Sequence, residues 1–600
     1  MLFPIALARG GAPRFGGLHN AAVKPSLLRL LSAQALPPPP PGAAWKPANF
    51  KFVDKSLMQA ELLYNETLYP FLLLPAMRRV GKTTALHQLA AMARGDADKF
   101  KGYAVCAPDS PYKVTPGLFS VIQLDCSGLA NGKSSAKEVE AALMLAFEEA
   151  ALEQHGITLP SNLPGLGLMM SAWIRALRVK ESNRPIVVLI DEYDAPITTL
   201  LLKTSVNEAE EFAEKLSTLY SQLKKRGPEL HKVLVAGVAK VWSMNMFSSA
   251  NVFRNLFEVK PKFCTLFGFT EAEILKTYGD VPVNGGKKLL RECMPALKAW
   301  YNGYRVHPKQ AEKDTLYNPL SVLSFIRKGE ITGYWTRTTT SGLNELLRDR
   351  GPSILAGTTS TWSELKVPLS IRSYMEDRHW TQRAFQLGYL TIKNAKAVVR
   401  MDRKDDYELQ LGAPNAEVKD WVSNEMFLHF ANEPSYKAYA DAIAALAFKR
   451  AGKELQKVLE GIKEPREKIR NEAAFGLIAL GSLEQMTRDR FVTVRAELDH
   501  PVPNSQSEKK MKSDGVLVFN VNGKLHMAVV ELKFGPGRSA DTALKQIKDN
   551  AYAPRALESL KTHDNIAVDE ENVYLVGINL SYKSNGKPVI TLKAEKYRPN

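Results

Sequence analysis

The sequence predicts an α/β protein in which two α/β segments flank a mixed, mainly helical middle region. Between residues 50 and 270, apolar β-rich runs such as FLLL and IVVLI alternate with helical stretches. This alternation is typical of a parallel sheet that helices cover on both faces. A second succession of helix, strands, hairpin, helix and strand begins near residue 470. At 600 residues the chain also exceeds what one hydrophobic core normally serves.

The composition is that of a globular protein. Hydrophobic residues make up 45% and charged residues 24% of the chain, and no run of 18 apolar residues predicts a membrane-spanning helix. The four cysteines lie far apart without a CxxC pair, which suits a reducing compartment and gives no indication of structural zinc. The net charge of +17 permits a polyanionic partner without identifying one, since a soluble basic surface would look the same.

Residues 1–48 form a predicted leader. The segment is free of acidic residues, carries spaced arginines and ends after the proline run Pro37–Pro41. Such a composition is typical of an organelle transit peptide and predicts a mitochondrial location. A secretory signal fits less well, because Arg9 follows the apolar run instead of preceding it. The alternative is a disordered tail with a stiff polyproline spacer, which would leave the protein nuclear or cytoplasmic.

Residues 49–270 are predicted to bind a nucleotide. FLLLPAMRRVGKTTALHQLAAMA indicates a strand, a loop and a helix that opens at Gly81, Lys82 and Thr83. In this arrangement backbone N–H groups face phosphates, the lysine reaches the β and γ oxygens, and the threonine hydroxyl ligates Mg²⁺. The pattern GxxxxGK[ST] places glycine where this chain has Ala76, and a surface lysine at a helix start is the alternative interpretation.

Three neighbours of this loop are further candidates. Thr84 completes the predicted cofactor-binding set with Arg79, while Arg78 and Arg79 could contact phosphate, a neighbouring subunit or only solvent.

The run IVVLIDEYDAP supplies the second half of the predicted site. Its buried strand ends in Asp191 and Glu192. A carboxylate at this position holds Mg²⁺, usually through water, and the next glutamate polarises the attacking water. Both residues could instead simply cap the strand. Lys240, after the later strand KVLVAGV, could sense the γ-phosphate, although a solvated lysine is the simpler interpretation.

A second constellation lies in KSDGVLVFNVNGKLHMAVVELKFGPG. Asn522-Gly523 predicts a two-residue hairpin turn, which places Asp514 opposite Glu531 and puts Lys533 on the same face. Two facing carboxylates repel each other unless something positive lies between them, and a divalent cation such as Mg²⁺ or Mn²⁺ would serve. The alternative is a salt-bridged hairpin with solvated charges.

A set of ordered motifs resembles one known family. In sequence they are FVDKSLMQAELL, PAMRRVGKTT, VIQLDCSGL, VVLIDEYDAPI, VLVAGVAKV, FGFTEAEI, WYNGYR, LYNPLSVLSFI, GYWTRTT and GYLTI. Together they resemble the AAA-ATPase-like family with a C-terminal PD-(D/E)xK nuclease-superfamily domain, over roughly residues 49–600. The resemblance implies a P-loop NTPase domain over 49–270, a helical extension over 271–440 and a restriction-endonuclease-like α/β domain over 441–600. It also implies ATP and Mg²⁺ as cofactors and DNA or RNA as a partner.

Within the C-terminal domain the resemblance transfers the D…ExK residues onto Asp514, Glu531 and Lys533. Ser513 stands where the motif often has proline. Glu472 is a further predicted metal ligand, Glu497 competes with it, and Gln546 resembles the helical glutamine that follows ExK. The leading hypothesis is therefore an ATPase coupled to a nuclease, and the alternative is a nucleotide switch or assembly protein with a silent nuclease fold.

Overall fold

A computed structural model describes most of the chain beyond residue 51, and Asn49–Asn600 forms one compact unit. The described residues are 52–160, 162–238, 241–242, 252–336, 350–400, 403–422, 434–462, 465–469, 472–481, 483, 491–500, 511–563 and 566–598. The predicted leader and Lys240 lie outside them, so the targeting and phosphate-sensing roles stay predictions.

The chain folds into fifteen strands over these residues. They are β1 Phe71–Pro75, β2 Ser120–Asp125, β3 Ile186–Asp191, β4 Leu230–Gly237, β5 Val241–Trp242, β6 Arg254–Asn255, β7 Thr358–Thr361, β8 Leu369–Ser370, β9 Thr391–Arg400, β10 Arg403–Gly412, β11 Phe491–His500, β12 Met511–Val521, β13 Lys524–Phe534, β14 Val573–Tyr582 and β15 Pro588–Lys596.

The N-terminal sheet is parallel, as the sequence predicts. Its strand order is β2-β3-β4-β1-β6, so β4 separates the strand before the phosphate loop from the strand that ends in Asp191. All six residues of β3 are buried, which explains why a continuous β-branched run forms it. The helices of this region are α1 Ser56–Tyr64, α2 Lys82–Arg94, α3 Ala136–His155, α4 Leu166–Lys180, α5 Ala195–Lys203, α6 Val206–Lys225 and α7 Leu256–Val259.

The middle region is mixed and mainly helical. Its helices are α8 Glu271–Tyr278, α9 Leu290–Tyr301, α10 Pro319–Lys328, α11 Gly351–Ala356, α12 Trp362–Lys366, α13 Ile371–Met375 and α14 Trp380–Leu387. Strands β7, β10 and β9 form an antiparallel sheet, and β5 pairs with β8. Tyr301 of the motif WYNGYR and Tyr317 of LYNPLSVLSFI are fully buried in the core of this region.

The C-terminal region contains a five-stranded mixed sheet, with helices that precede it in sequence and two helices between β13 and β14. Its strand order is β11-β12-β13-β14-β15, and only the β13–β14 pair is parallel. The helices are α15 Pro434–Ala444, α16 Phe448–Gly461, α17 Pro465–Lys468, α18 Glu472–Gly476, α19 Ala540–Asp549 and α20 Tyr552–His563. The predicted order of helix, strands, hairpin, helix and strand is thus present.

One predicted helical stretch contains a break. The sequence suggests a long amphipathic helical stretch from Asp441 to about Ile462, and the chain there is helical except between α15 and α16. Leu446 adopts a left-handed conformation with φ 57°, and the Ala447 N–H donates to the Ala442 carbonyl at 2.8 Å. This is the hydrogen bond of a Schellman cap, which glycine usually provides. Helix α15 also crosses the boundary predicted at residues 440 and 441.

Candidate functional site

The phosphate-loop backbone turns through two left-handed residues. Gly81 has φ 94°, and there is open space where a side chain would stand. Glycine is therefore favoured at this position by the backbone conformation and not by a lack of space. Arg79 has φ 61° and is exposed, while Thr84 is half-buried in the first turn of α2. The loop therefore reaches the N-terminus of α2 in the conformation that an anion-binding helix start requires.

Lys82 lies inside the loop and not on the surface. The side chain is 5% exposed, and its Nζ donates to the carbonyls of Ala76 and Met77, each at 3.0 Å. Burial lowers the pKa of Lys82, while Glu192 and Asp191 act in the opposite direction. The charges of both carboxylates at the end of β3 thus act on the lysine.

Asp191 joins the loop to the end of β3. Its carboxylate accepts a hydrogen bond from the Thr83 side chain, and its Oδ1 accepts one from the Glu192 N–H at 2.9 Å. Burial raises the pKa of Asp191 to about 6. The hydroxyl and the carboxylate are hard oxygen ligands, so they fit an Mg²⁺ ion that accompanies a nucleotide.

Two residues from later in the chain donate hydrogen bonds to carbonyls of the loop. The Gly268 N–H donates to the Val80 carbonyl at 2.9 Å, and the Asn318 side-chain amide donates to the Arg78 carbonyl at 3.4 Å. Asn318 also caps α10 by accepting from the Leu320 N–H. Gly268 belongs to the motif FGFTEAEI and Asn318 to LYNPLSVLSFI. Nothing in either motif indicates a contact with the loop.

Asp194 is a buried site residue to which sequence reasoning assigned no role. It lies three residues after Asp191, and both its carboxylate oxygens are 3.1 Å from the Val238 N–H at the end of β4. A side chain at Gly237 would approach the Asp194 carboxylate to 2.3 Å, so the strand end must be glycine. Asp194 therefore ties the turn after β3 to the neighbouring strand.

Comparison with known proteins agrees with this geometry. Residues 44–247 match the AAA-ATPase-like family, whose description is "Predicted AAA-ATPase". That region is thus an AAA-ATPase-like domain with an ATP-binding phosphate loop, and the parallel sheet fits a P-loop NTPase.

Two individual proteins are also similar to the chain. The "Uncharacterized protein in vnfD 5'region" of Azotobacter chroococcum mcd 1 is 26% identical over 544 residues, covering 89% of this chain and 94% of the relative. The solved structure of the Aeropyrum pernix ORC2 protein (ADPNP-ADP complexes) covers 62% of this chain and 93% of its own, at 14% identity and a TM-score of 0.26. A TM-score this low does not establish a common fold. Over the described residues, no helix has the length and apolar character to cross a membrane.

The C-terminal hairpin has the predicted register. Val521 pairs with Lys524 and Gly515 pairs with Val530, so the next positions along the ladder are Asp514 and Glu531. Beyond the last pair, the Asp514 carboxylate accepts a hydrogen bond from the Leu532 N–H at 2.7 Å. The candidate carboxylates therefore meet where the two strands begin to separate.

Glu531 and Lys533 form a buried ion pair. The two residues are 2% and 4% exposed, and Lys533 Nζ lies 3.0 Å from Glu531 Oε1. Burial, followed by the charge of Asp514, raises the pKa of Glu531 to about 7. Glu531 Oε2 is buried and makes no hydrogen bond within the described part of the chain.

Glu472, Gln546 and Glu497 are the other predicted residues of the C-terminal site. Glu472, with a side chain 43% exposed, lies 3.6 Å from Lys533 Nζ. Gln546 is half-buried on α19. Glu497 stands in β11 between the positions paired with Gly515 and Ser513, which puts it opposite Asp514 in the register.

The predicted three-carboxylate set is not formed. Among the described residues no group of three His, Cys, Asp or Glu side chains is arranged to hold a metal ion. Lys533 contacts both Glu472 and Glu531, so its ammonium balances charge on both carboxylates. The role of Glu472 as a metal ligand stays a prediction.

Asn579 is a polar residue of this site that the sequence did not reveal. It pairs with Lys533 across the parallel strands β13 and β14 and is 5% exposed. Its Oδ1 has no hydrogen-bond partner among the described residues. No local pattern in GINLSY distinguishes this asparagine, because only the β13–β14 register brings it to the site.

Proposed function

We propose that the protein hydrolyses ATP at its phosphate loop and that nucleotide controls a metal-dependent C-terminal domain that cleaves nucleic acid. The observation that carries the first half is the gathering of Lys82, Thr83, Asp191 and Glu192 at one edge of the parallel sheet. The second half rests on the buried constellation of Asp514, Glu531 and Lys533.

The residues of the phosphate-loop site have separate roles in the proposed hydrolysis. Lys82 neutralises phosphate charge, and Thr83 and Asp191 would hold Mg²⁺, which supplies further charge neutralisation when bound. Glu192 polarises the attacking water. Because phosphoryl transfer depends on positioning and electrostatics, a loop held by the middle region is suited to it.

The C-terminal residues fit a divalent cation. Mg²⁺ is commonly held by one or two carboxylates together with water and phosphate oxygens, and Glu531 offers a buried oxygen without a protein partner. Asp514 and Glu531 would hold Mg²⁺ or Mn²⁺, which supplies a Lewis acid at the scissile phosphate. Lys533 would orient water or balance charge on the phosphodiester. The mixed sheet, with a hairpin followed by a helix and a parallel strand, supports a restriction-endonuclease-like fold.

A cleavage assay tests the proposal. Purified protein is incubated with Mn²⁺ and labelled single- and double-stranded DNA and RNA, with and without ATP. We expect metal-dependent cleavage that Asp514→Asn and Glu531→Gln abolish, while Lys533→Ala impairs cleavage and keeps much of the metal affinity. Cleavage at the wild-type level in both carboxylate variants would show that another site is responsible.

A non-catalytic switch is the second candidate. The observation that favours it is the ion pair between Lys533 and Glu531, which neutralises the site without a metal. In that case the C-terminal domain binds a partner and does not cleave. Wild-type protein that hydrolyses ATP but leaves every nucleic acid intact, with no heat released on titration with Mn²⁺, would establish this second function.

A further inference from the structure

Basic charge is concentrated on one part of the C-terminal region. Residues 448–462, which contain α16, and residues 582–598, which contain the β14–β15 turn and β15, carry nine basic and three acidic residues. The rest of residues 441–600 carries 17 basic and 18 acidic residues and so contributes no net positive charge. All nine basic residues of the two segments are exposed. The two segments together are called the basic surface below.

Hydrogen bonds join the two segments into one surface. The Gln456 side-chain amide donates to the Pro588 carbonyl at 2.7 Å, and its Oε1 accepts from the Ile590 N–H, also at 2.7 Å. Helix α16 therefore lies along β15 and covers part of its outer backbone edge. Because this edge is covered, a partner of the basic surface must be bound by side chains and not by addition of a strand.

Helix α16 carries a row of cations. Lys449, Lys453 and Lys457 recur every fourth residue, so they follow one side of the helix at intervals of about 6 Å, and Arg450 lies beside them. Lys457 is 3.1 Å from Glu454, but the other three cations make no ion pair within the described part of the chain. Like charges four residues apart destabilise a helix, so an anionic partner would relieve a cost that α16 carries alone.

The basic surface lies close to the candidate metal site. Lys533 pairs with Asn579 across β13 and β14, and Asn579 pairs with Thr591 of β15. Neighbouring strands are about 4.8 Å apart, so the backbone of β15 passes about 10 Å from that of Lys533. A long polyanion held along α16 and β15 can therefore extend to the proposed cleavage site.

The aromatic residues of the basic surface are engaged in packing. The Phe448 ring lies 5.6 Å from the Tyr574 ring, and the Tyr582 hydroxyl donates to the Pro465 carbonyl at 3.0 Å. Tyr597 packs against the apolar core of the C-terminal region. Proteins that bind single strands use exposed aromatic rings on which the bases stack. The basic surface offers charge without such rings, which favours the phosphate backbone of a duplex.

We propose that the basic surface binds the phosphate backbone of duplex DNA and leads it towards Asp514, Glu531 and Lys533. Gln456 is the single uncharged polar side chain of α16 and is bonded to β15, so it is not available for the 2′-hydroxyl groups through which proteins contact duplex RNA. Contacts to phosphate carry no sequence information, so binding should be independent of sequence. The link to cleavage rests on the proposed nuclease function, whereas the binding does not.

The test compares two triple variants of the full chain. The first replaces the unpaired cations of α16: Lys449→Gln, Arg450→Gln and Lys453→Gln. The matched control replaces three exposed lysines of the C-terminal region outside the basic surface: Lys437→Gln, Lys524→Gln and Lys561→Gln. Glutamine is a good helix former, so the α16 variant should keep the wild-type melting temperature. Fluorescence anisotropy of a short labelled DNA duplex, without divalent metal and over a range of KCl concentrations, measures Kd and its salt dependence.

We expect the α16 variant to bind duplex DNA at least tenfold more weakly, and the slope of log Kd against log KCl concentration to fall by about three, because each lost phosphate contact removes about one counterion. The control variant should keep the wild-type Kd and slope. Equal weakening in both variants, or wild-type affinity in the α16 variant, overturns the inference. Tighter binding of single-stranded DNA or duplex RNA than of duplex DNA also overturns it.

Cleavage with Mn²⁺ is measured separately, so that this inference and the nuclease proposal can fail independently. Duplex binding that depends on α16 supports the basic surface even if the wild type cleaves nothing, a result that counts against the nuclease proposal alone. Cleavage of duplex DNA by the α16 variant with wild-type kcat and KM overturns the inference and leaves the nuclease proposal intact.

Discussion

Lys82 illustrates how a residue can be predicted from a motif while its surroundings cannot. The GKT pattern identifies the lysine, but it does not reveal that Nζ is buried and bonded to the carbonyls of Ala76 and Met77. Those bonds depend on the backbone path of the loop, which no local pattern encodes. Through these two bonds the lysine also orders the loop.

The Lys82→Ala variant should bind ATP at least tenfold more weakly, because a charge-assisted contact with phosphate is lost. It should remain folded with a slightly lower melting temperature, since two loop carbonyls lose their donor. Isothermal titration with ATP measures the affinity, and Glu192→Gln is the control, expected to keep affinity and slow hydrolysis. Unchanged affinity in Lys82→Ala would rule out the phosphate-loop assignment.

Glu531 gives a prediction with a pH dependence. Its pKa is raised from the ordinary value of 4.5 to about 7, so the folded protein holds a proton that the unfolded chain releases between these values. The stability that this protonation contributes is present at low pH and falls as pH rises from about 4.5 to 7. Glu531→Gln cannot ionise, so without metal it should raise the melting temperature at pH 8 relative to the wild type.

At pH 4.5 the higher melting temperature of Glu531→Gln should largely disappear, because wild-type Glu531 is then uncharged as well. Melting curves at both pH values, recorded without metal, measure the difference. Glu558→Gln, exposed on α20, is the control and should show the same difference from the wild type at both pH values. A variant that is less stable at pH 8 would mean that the ion pair with Lys533 outweighs burial.

At the scale of elements, turn chemistry decided which predictions held. Asn522 and Gly523 have φ 52° and 84°, the left-handed pair of a two-residue hairpin turn, and that signal fixed the register of Asp514 and Glu531. Leu446 also adopts a left-handed conformation, but leucine, unlike glycine or asparagine, does not indicate such a conformation in the sequence. The break between α15 and α16 was therefore not predicted. Packing of the two helices against each other overrides the local preference of leucine.

Gly523→Ala should destabilise the hairpin by about 1 kcal/mol, because alanine is strained at φ 84°. The cost is conformational, since open space surrounds the position. Gly461→Ala is a matched control, as its surroundings are equally open and it ends helix α16 without a left-handed conformation. Denaturant unfolding should show a loss for Gly523→Ala and none, or a small gain, for Gly461→Ala. Equal effects would refute the turn argument.

At the scale of the molecule, the middle region contacts both candidate sites. Asn318 donates a hydrogen bond to the phosphate loop, and α11 packs against α18, the helix that begins at Glu472. Local sequence patterns predicted the strands and helices of each α/β segment. They could not predict these contacts, because the contacts join residues far apart in the chain. These contacts are the support for the proposed coupling between nucleotide and cleavage, which neither motif indicates by itself.

The last prediction tests that coupling. If ATP acts through the phosphate loop, adding ATP should change the rate of Mn²⁺-dependent cleavage in the wild type and leave Lys82→Ala unaffected. Glu192→Gln separates binding from turnover, because it should keep the ATP effect if occupancy is enough and lose it if hydrolysis is required. Conversely, Asp514→Asn should hydrolyse ATP at the wild-type rate, since the carboxylate is bonded within the C-terminal hairpin. Cleavage by Lys82→Ala that still responds to ATP would place the control outside the phosphate loop.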